Sequence, residues 1–161
     1  MDQTAFTDRD NAFMRLAIEE ARLAEEAGDI PVGAVLVDDA SGRILARGHN
    51  TREVAQTALG HAEIQVIRDA CAEIGSWRLG GTTLYVTLEP CPMCAGAIVN
   101  ARIPRVVFGA ADPTVGAMGS VWNLCHHPYA ELATAEGECG CLEDECKELM
   151  TGFFKRKRET Q

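Results

Sequence analysis

Two short motifs, His61-Ala62-Glu63 and Pro90-Cys91-Pro92-Met93-Cys94, constrain this chain more than any other feature. One imidazole and two thiols are three metal-ligand side chains, and the imidazole stands far from the thiols along the chain. A fold that uses them together must bring the chain back to one point. Three protein ligands on a tetrahedral Zn²⁺ leave one position for water, the arrangement of a catalytic rather than a structural zinc. Cys91 and Cys94 lie three apart, so they share a face of one helical turn. A helix N-terminus at that place favours their thiolate form. Glu63 stands where a carboxylate can carry protons for the water in the fourth position. A helical offset of two residues alone points Glu63 away from His61. The reading therefore requires His61 to occupy the irregular first turn.

The rest of the chain predicts a frame for those motifs. Thr7 or Asp8 can cap a first helix running to about Ala27, with Phe13, Leu16, Ala17, Ala21 and Ala24 at helical spacing and Gly28 at its C-terminus. Pro31 to Val37 is a nearly continuous apolar run, as in a strand buried on both faces. Asp38 to Gly42 is turn chemistry, and Arg43 to Gly48 returns as the second strand of a hairpin. Asn50 to Gly60 has no clear period and reads as a loop. A second helix is expected over about Ala62 to Ile74, with Ile64, Ile67 and Cys71 on one side. Thr82 to Leu88 has strong β-propensity. Pro92 suits the first turn of a third helix to Asn100, and Pro104 to Gly109 is another strand. Strand, helix and strand in so few residues imply a parallel crossover, whose ligand side lies beyond the strands' carboxyl ends. The segment Tyr129 to Gly140 is ambiguous. A last helix, about Leu142 to Arg158, carries Leu142, Cys146, Leu149, Met150 and Phe153 on one face.

Length fits one domain spanning 1–161, with a basic tail over 153–161. No apolar run approaches the roughly 20 residues of a membrane span, and the N-terminus has no signal-like apolar core. The expected location is the cytoplasm, without membrane association. Seven cysteines, an odd number, point to metal or catalysis before disulfides in a reducing compartment. A net charge of −9 argues against broad, non-specific nucleic-acid binding. Any nucleic-acid contact must be a local basic patch.

The H-x-E and P-C-x-x-C pattern is the known signature of zinc nucleobase deaminases. Beyond it, Thr82 to Cys94 (TTLYVTLEPCPMC), Ala95 to Ile98, Arg105 to Ala110 and Pro31 to Val37 closely resemble bacterial tRNA adenosine deaminases. The resemblance covers roughly residues 11–158, and the Phe153 to Arg158 tail favours this branch of the cytidine deaminase-like superfamily. It implies an α/β/α three-layer sandwich around a mixed, roughly five-stranded sheet. It also implies a homodimer, and conversion of adenosine to inosine at the wobble position of a tRNA anticodon stem-loop. Carried onto matching positions, His61, Cys91 and Cys94 would bind one Zn²⁺ per subunit, with water as fourth ligand. Glu63 would be the catalytic proton shuttle. Asn50 would hydrogen-bond the flipped base, Val32 would line its pocket, and Asp112 would contact a neighbouring ribose. The chain departs from the family near Thr114, often basic there. It departs again at Tyr129-Ala130-Glu131-Leu132, where an Asn-His pair is usual. Both changes bear on RNA grip and not on the chemistry.

Plainer readings stand beside these. Asn50 and Asp112, the latter before Pro113, are also ordinary turn residues. The tail is also what a solvated helix end looks like, its cations complementing the helix dipole. One of the adjacent Phe153 and Phe154 belongs to the core, since neighbours cannot share a face. Cys71 reads as a small core residue, and Trp77 and Trp122 as packing or interface residues. Cys125, His126, His127, Cys139, Cys141 and Cys146 raise a second metal site, although Cys139-Gly140-Cys141 is not structural-zinc spacing. Two functional alternatives stay open: deamination of a free base or nucleoside of guanine or cytosine type, and a non-catalytic zinc-containing RNA-binding protein.

Overall fold

The computed structural model describes residues 6–126 and 135–160. The segment Tyr129–Leu132, where the chain departs from the family, lies outside the described residues. The elements in chain order are α1 (Asp8–Glu26), β1 (Gly33–Asp38), β2 (Ile44–His49), α2 (Arg52–Ala55), α3 (Ala62–Ile74), β3 (Thr82–Leu88), α4 (Pro92–Asn100), β4 (Arg105–Ala110), β5 (Glu136–Cys139) and α5 (Glu143–Glu159). They form an α/β fold around one mixed five-stranded sheet of order β2-β1-β3-β4-β5. β1 runs antiparallel to β2 and β3, while β3, β4 and β5 are mutually parallel.

Alternation along the central strands sorts the core into two layers. Ala34 and Leu36, Leu84 and Val86, and Val106 and Phe108 face α3 and α4, where they meet Val66, Ala70, Ala95 and Ile98. Val35, Val37, Tyr85 and Val107 face the other way, onto Met14, Ala17, Ile18 and Ala21 of α1 and Cys146 and Leu149 of α5. A strand buried on both faces has no polar alternation, which is why Pro31 to Val37 reads as a solid apolar run. α1 lies very close to β1. A Cβ on Gly33 would stand 2.0 Å from the Ala17 carbonyl oxygen, so only glycine admits the helix at this distance.

Local chemistry sets the helix ends. Thr7 and Asp10 form a reciprocal capping box on α1, with the Asp10 amide donating to Thr7 Oγ1 at 3.1 Å and the Thr7 amide to Asp10 Oδ2 at 3.2 Å. Ala27 is the C-cap and Gly28 follows it at φ +89°. Asp10 then reaches into the fold. Its carboxylate accepts from Tyr85 Oη at 2.7 Å and from Arg105 Nη1 and Nη2 at 3.0 and 3.1 Å, and Arg105 also pairs with Glu138 of β5 at 2.6 Å. This network ties α1, β3, β4 and β5 together at the end of the sheet where β4 begins.

One expectation needs correction, and the face of α3 can be assigned. Asn50 to Gly60 is not all loop. α2 forms there, and the fully buried Asp29 carboxylate accepts from the amides of Glu53 at 3.0 Å and Val54 at 2.9 Å. Its cap comes from outside the segment, so no local pattern announces it. The core face of α3 is Ala62, Val66 and Ala70; Ile64, Ile67 and Cys71 are only partly buried and line a surface groove. Small residues let the helix approach the sheet, and the larger apolar ones stand at its flank. Cys71, read as a small core residue, is partly buried and packs against the core from this flank. Among the described residues no helix is long and apolar enough to cross a membrane.

Candidate active site

Both motifs fall at helix N-termini on the same edge of the sheet. His61 is the N-cap of α3 with extended backbone (φ −89°, ψ 146°), so it stands outside the helical repeat that carries Glu63. That is the irregular first turn the reading required. Cys91 is the N-cap of α4 (φ −75°, ψ 174°), Pro92 takes the first helical position, and Cys94 sits one turn in. β3 delivers the cysteine motif, and its parallel pairing with β4 sends the loop after Ala110 over the same place.

His61 Nδ1 lies 3.5 Å from Cys91 Sγ and 3.5 Å from Cys94 Sγ. Among the described residues these three form the one His/Cys/Asp/Glu cluster able to hold a metal, with ligand atoms all within 4.8 Å of one another. Zinc–nitrogen and zinc–sulfur bonds of about 2.05 and 2.3 Å at a tetrahedral angle put N and S about 3.6 Å apart. The spacing therefore fits two ligands of one tetrahedral ion. The electrostatics agree. The hydrogen bond between the sulfurs drives Cys91 down to about 4 and Cys94 upward, with burial adding to the rise in Cys94. Two sulfurs so close share one negative charge; a cation between them lets both be thiolates. The Cys91 sulfur also raises the pKa of His61 through its hydrogen bond.

Glu63 is 4% exposed, and burial raises its pKa. A carboxyl of this kind takes up and returns a proton nearer neutral pH than a free glutamate does. It lines a cavity of about 190 Å³ together with His61 and Cys91. That is smaller than the roughly 300–1,000 Å³ of drug-sized ligand sites and suits one planar heterocycle.

Asn50, Val32 and Asp112 line the same cavity. Asn50 Oδ1 accepts from the Arg52 amide at 2.9 Å, and among the described residues its Nδ2 makes no hydrogen bond, which leaves a donor for a ligand. Asp112 has both of its readings at once. Oδ1 accepts from the amides of Thr114 at 2.9 Å and Val115 at 3.3 Å, so the side chain builds its own turn while lining the cavity. The remaining wall residues were not singled out from sequence for this place. Leu88 and Glu89 close the end of β3, and Met150 reaches in from α5. An acidic residue ending an otherwise apolar strand was the available signal for Glu89.

The basic stretch forms the last turns of α5. Phe153, Phe154 and Lys157 follow Met150 at three, four and seven residues, the stripe of a helix that continues past the cavity. Phe153 is half-buried and Phe154 exposed, Lys157 Nζ lies 5.8 Å from the Phe153 ring centre, and Arg156 pairs with Glu25 of α1. Cys125, Cys141 and Cys146 are buried and Cys139 is exposed. Trp77 and Trp122 are both about half exposed, with Arg78 4.5 Å and Arg102 5.3 Å from the Trp77 ring centre.

Comparison with known proteins agrees with this geometry. The family described as the cytidine and deoxycytidylate deaminase zinc-binding region matches residues 7–110. The chain is 50% identical over 151 residues to the tRNA-specific adenosine deaminase of Bacillus subtilis, covering 94% of this chain and 92% of that one. It is 47% identical to the tRNA-specific adenosine deaminase of Haemophilus influenzae, covering 93% and 86%. A solved structure from work on A-to-I editing by tRNA:A34 deaminases at the wobble position superposes with a TM-score of 0.75 at 45% identity, covering 86% of this chain and 98% of that one.

Proposed function

The chain belongs to the tRNA-specific adenosine deaminases, within the cytidine and deoxycytidylate deaminase zinc-binding family, and on that premise we propose that it hydrolyses adenosine to inosine at the wobble position of a tRNA anticodon, releasing ammonia. One observation carries the reading. The buried Glu63 carboxyl shares a base-sized cavity with His61 and Cys91, and His61 Nδ1 stands 3.5 Å from both thiols.

His61, Cys91 and Cys94 would hold zinc, which when bound acidifies water and so supplies a nucleophile at neutral pH. Glu63 takes the first proton from the attacking water and places it on N1 of the adenine ring. Water oxygen bonds to C6, and Glu63 carries the second proton to the amine there. The C6–N bond breaks, ammonia leaves, and Glu63 is restored. Asn50 Nδ2 holds the base edge, and Val32 and Leu88 pack its face and exclude water. Asp112, which lines the cavity, and the Phe153–Arg158 end of α5, which continues the helix past Met150, are the proposed contacts for the flanking nucleotides of an unpaired loop. That gives an acidic chain a local basic contact for RNA.

The protein acts in the cytoplasm as a homodimer in this reading. The groove between α3 and α4, lined by Ile64, Ile67, Cys71, Trp77 and Ala97, is the surface that supports a second copy. The cavity also admits a free base, so the deciding assay compares substrates. Zinc-loaded protein should form inosine in an anticodon stem-loop with wobble adenosine, and turn over free adenosine, guanine or cytidine far more slowly. Preference for a free base would replace the tRNA reading.

A further inference from the structure

Glu89 is only 3% exposed and stands between the end of β3 and the cysteine motif, yet it belongs to neither the metal cluster nor the proton path. Among the described residues it pairs with no Lys, Arg or His. Its two oxygens are instead taken up by one loop. Oε1 accepts from the Asp112 amide at 3.1 Å, and Oε2 accepts from the amides of Met118 at 3.0 Å and Ser120 at 3.2 Å. The Ser120 hydroxyl donates to Oε1 as well. From this geometry we propose that Glu89 is a positioning residue. It is the hub on which the 111–120 loop is moulded, and it sets the height of the cavity wall that this loop supplies. The inference rests on the reading of the site as an RNA deaminase.

Three features make the hub specific. Part of the loop holds itself: the Thr114 and Val115 amides donate to Asp112 Oδ1, the Gly116 amide donates to the Asp112 carbonyl at 2.9 Å, and a single bridge joins Met118 and Asn123. The amides of Asp112, Met118 and Ser120 find no such partner within the loop, and all three use one carboxylate. The loop also wraps that carboxylate closely. A Cβ on Gly116 would stand 2.4 Å from the Glu89 carboxyl carbon and from Oε2, and 2.5 Å from the Asp112 carbonyl oxygen. Finally, this loop brings Asp112 and Val115 to the cavity. A second anchor, the Ala117 amide to the Pro90 carbonyl at 2.9 Å, ties the same loop to the residue beside Cys91. The reacting groups come from α3 and α4, so a shift of the loop changes how substrate is held without moving the groups that react.

The consequence is a split between KM and kcat. The test uses the zinc-loaded full chain and an anticodon stem-loop RNA with wobble adenosine. Glu89→Gln puts an amide NH₂ where one oxygen meets two donors. It should bind zinc at the wild-type ratio, raise KM about tenfold, and leave kcat at saturating RNA within about threefold. Amide hydrogen exchange should accelerate at Asp112, Met118 and Ser120, while Leu84 and Val86 of β3 keep wild-type protection. Gly116→Ala pushes the loop off the hub from its other side and should give the same KM-weighted defect; it carries the test if Glu89→Gln does not fold. A fall in kcat with unchanged KM, loss of zinc from folded Glu89→Gln, or wild-type exchange at the three amides overturns the proposal. If the wild-type chain makes no inosine, the functional reading fails instead, and the exchange measurement still decides whether Glu89 holds the loop.

Discussion

Replacing Asp10 by asparagine removes one negative charge from the network that ties α1 to the sheet. Asp10 is 4% exposed. Burial alone would raise its pKa, but hydrogen bonds from Arg105, Tyr85 and Thr7 outweigh burial and hold the carboxyl at about 2, against an ordinary value of 3.8. A depressed carboxylate contributes stability that is fully present above the unfolded value and is lost as pH falls through the folded one. The difference corresponds to about 2 kcal/mol at neutral pH, with about half left at pH 3 and about a sixth at pH 2. Urea unfolding of wild type and Asp10→Asn, paired at each pH, isolates this contribution. Acid also protonates the thiolates that hold zinc, but that loss is common to both proteins and cancels in the difference. The wild type should be more stable by about 2 kcal/mol at pH 7, and the gap should close between pH 4 and pH 2. A gap that is the same at pH 2.5 as at pH 7 would mean that the Asn variant loses shape rather than charge, and the electrostatic account would be wrong.

Glu63→Gln keeps the volume and hydrogen-bonding capacity of the side chain but cannot carry a proton. It should retain zinc, measured by metal analysis, while kcat falls about 10²- to 10⁴-fold; near-normal turnover would remove Glu63 from the proton path. Gly33→Ala places a methyl group 2.0 Å from the Ala17 carbonyl oxygen and should cost about 3 kcal/mol, read as a lower urea midpoint. An unchanged midpoint would mean that α1 is free to move away from β1 at little cost.

Much of the frame was legible because local pattern and tertiary role coincide. α3 and α4 begin at the residues that their motifs and Pro92 indicate, β1 follows the Pro31–Val37 run and ends one residue beyond it at Asp38, and β3 coincides with the β-favouring stretch Thr82–Leu88. The metal cluster was legible for the same reason. His61, Cys91 and Cys94 are residue types whose spacing has few other uses, and two helix N-caps bring them together. β5 was not legible because Glu136–Cys139 is a short edge strand without an apolar alternation; it is specified by its register on β4 and by the Glu138–Arg105 pair. α2 and the 111–120 loop were missed in the same way, since each is organised by a buried carboxylate, Asp29 or Glu89, that lies outside it in sequence. The buried face of α3 was not legible because it is made of small residues, and Ala62 and Ala70 are what close packing against the sheet admits.

The central claim is that this chain uses water to replace the amine of an adenine held in RNA. Its most direct test is one reaction of the zinc-loaded protein with a wobble-adenosine anticodon stem-loop in ¹⁸O-labelled water, read by mass spectrometry of the released nucleosides. The account predicts inosine carrying ¹⁸O at C6, formed at the wobble position and nowhere else in the loop. Unchanged adenosine at that position, or inosine without the label, would contradict it.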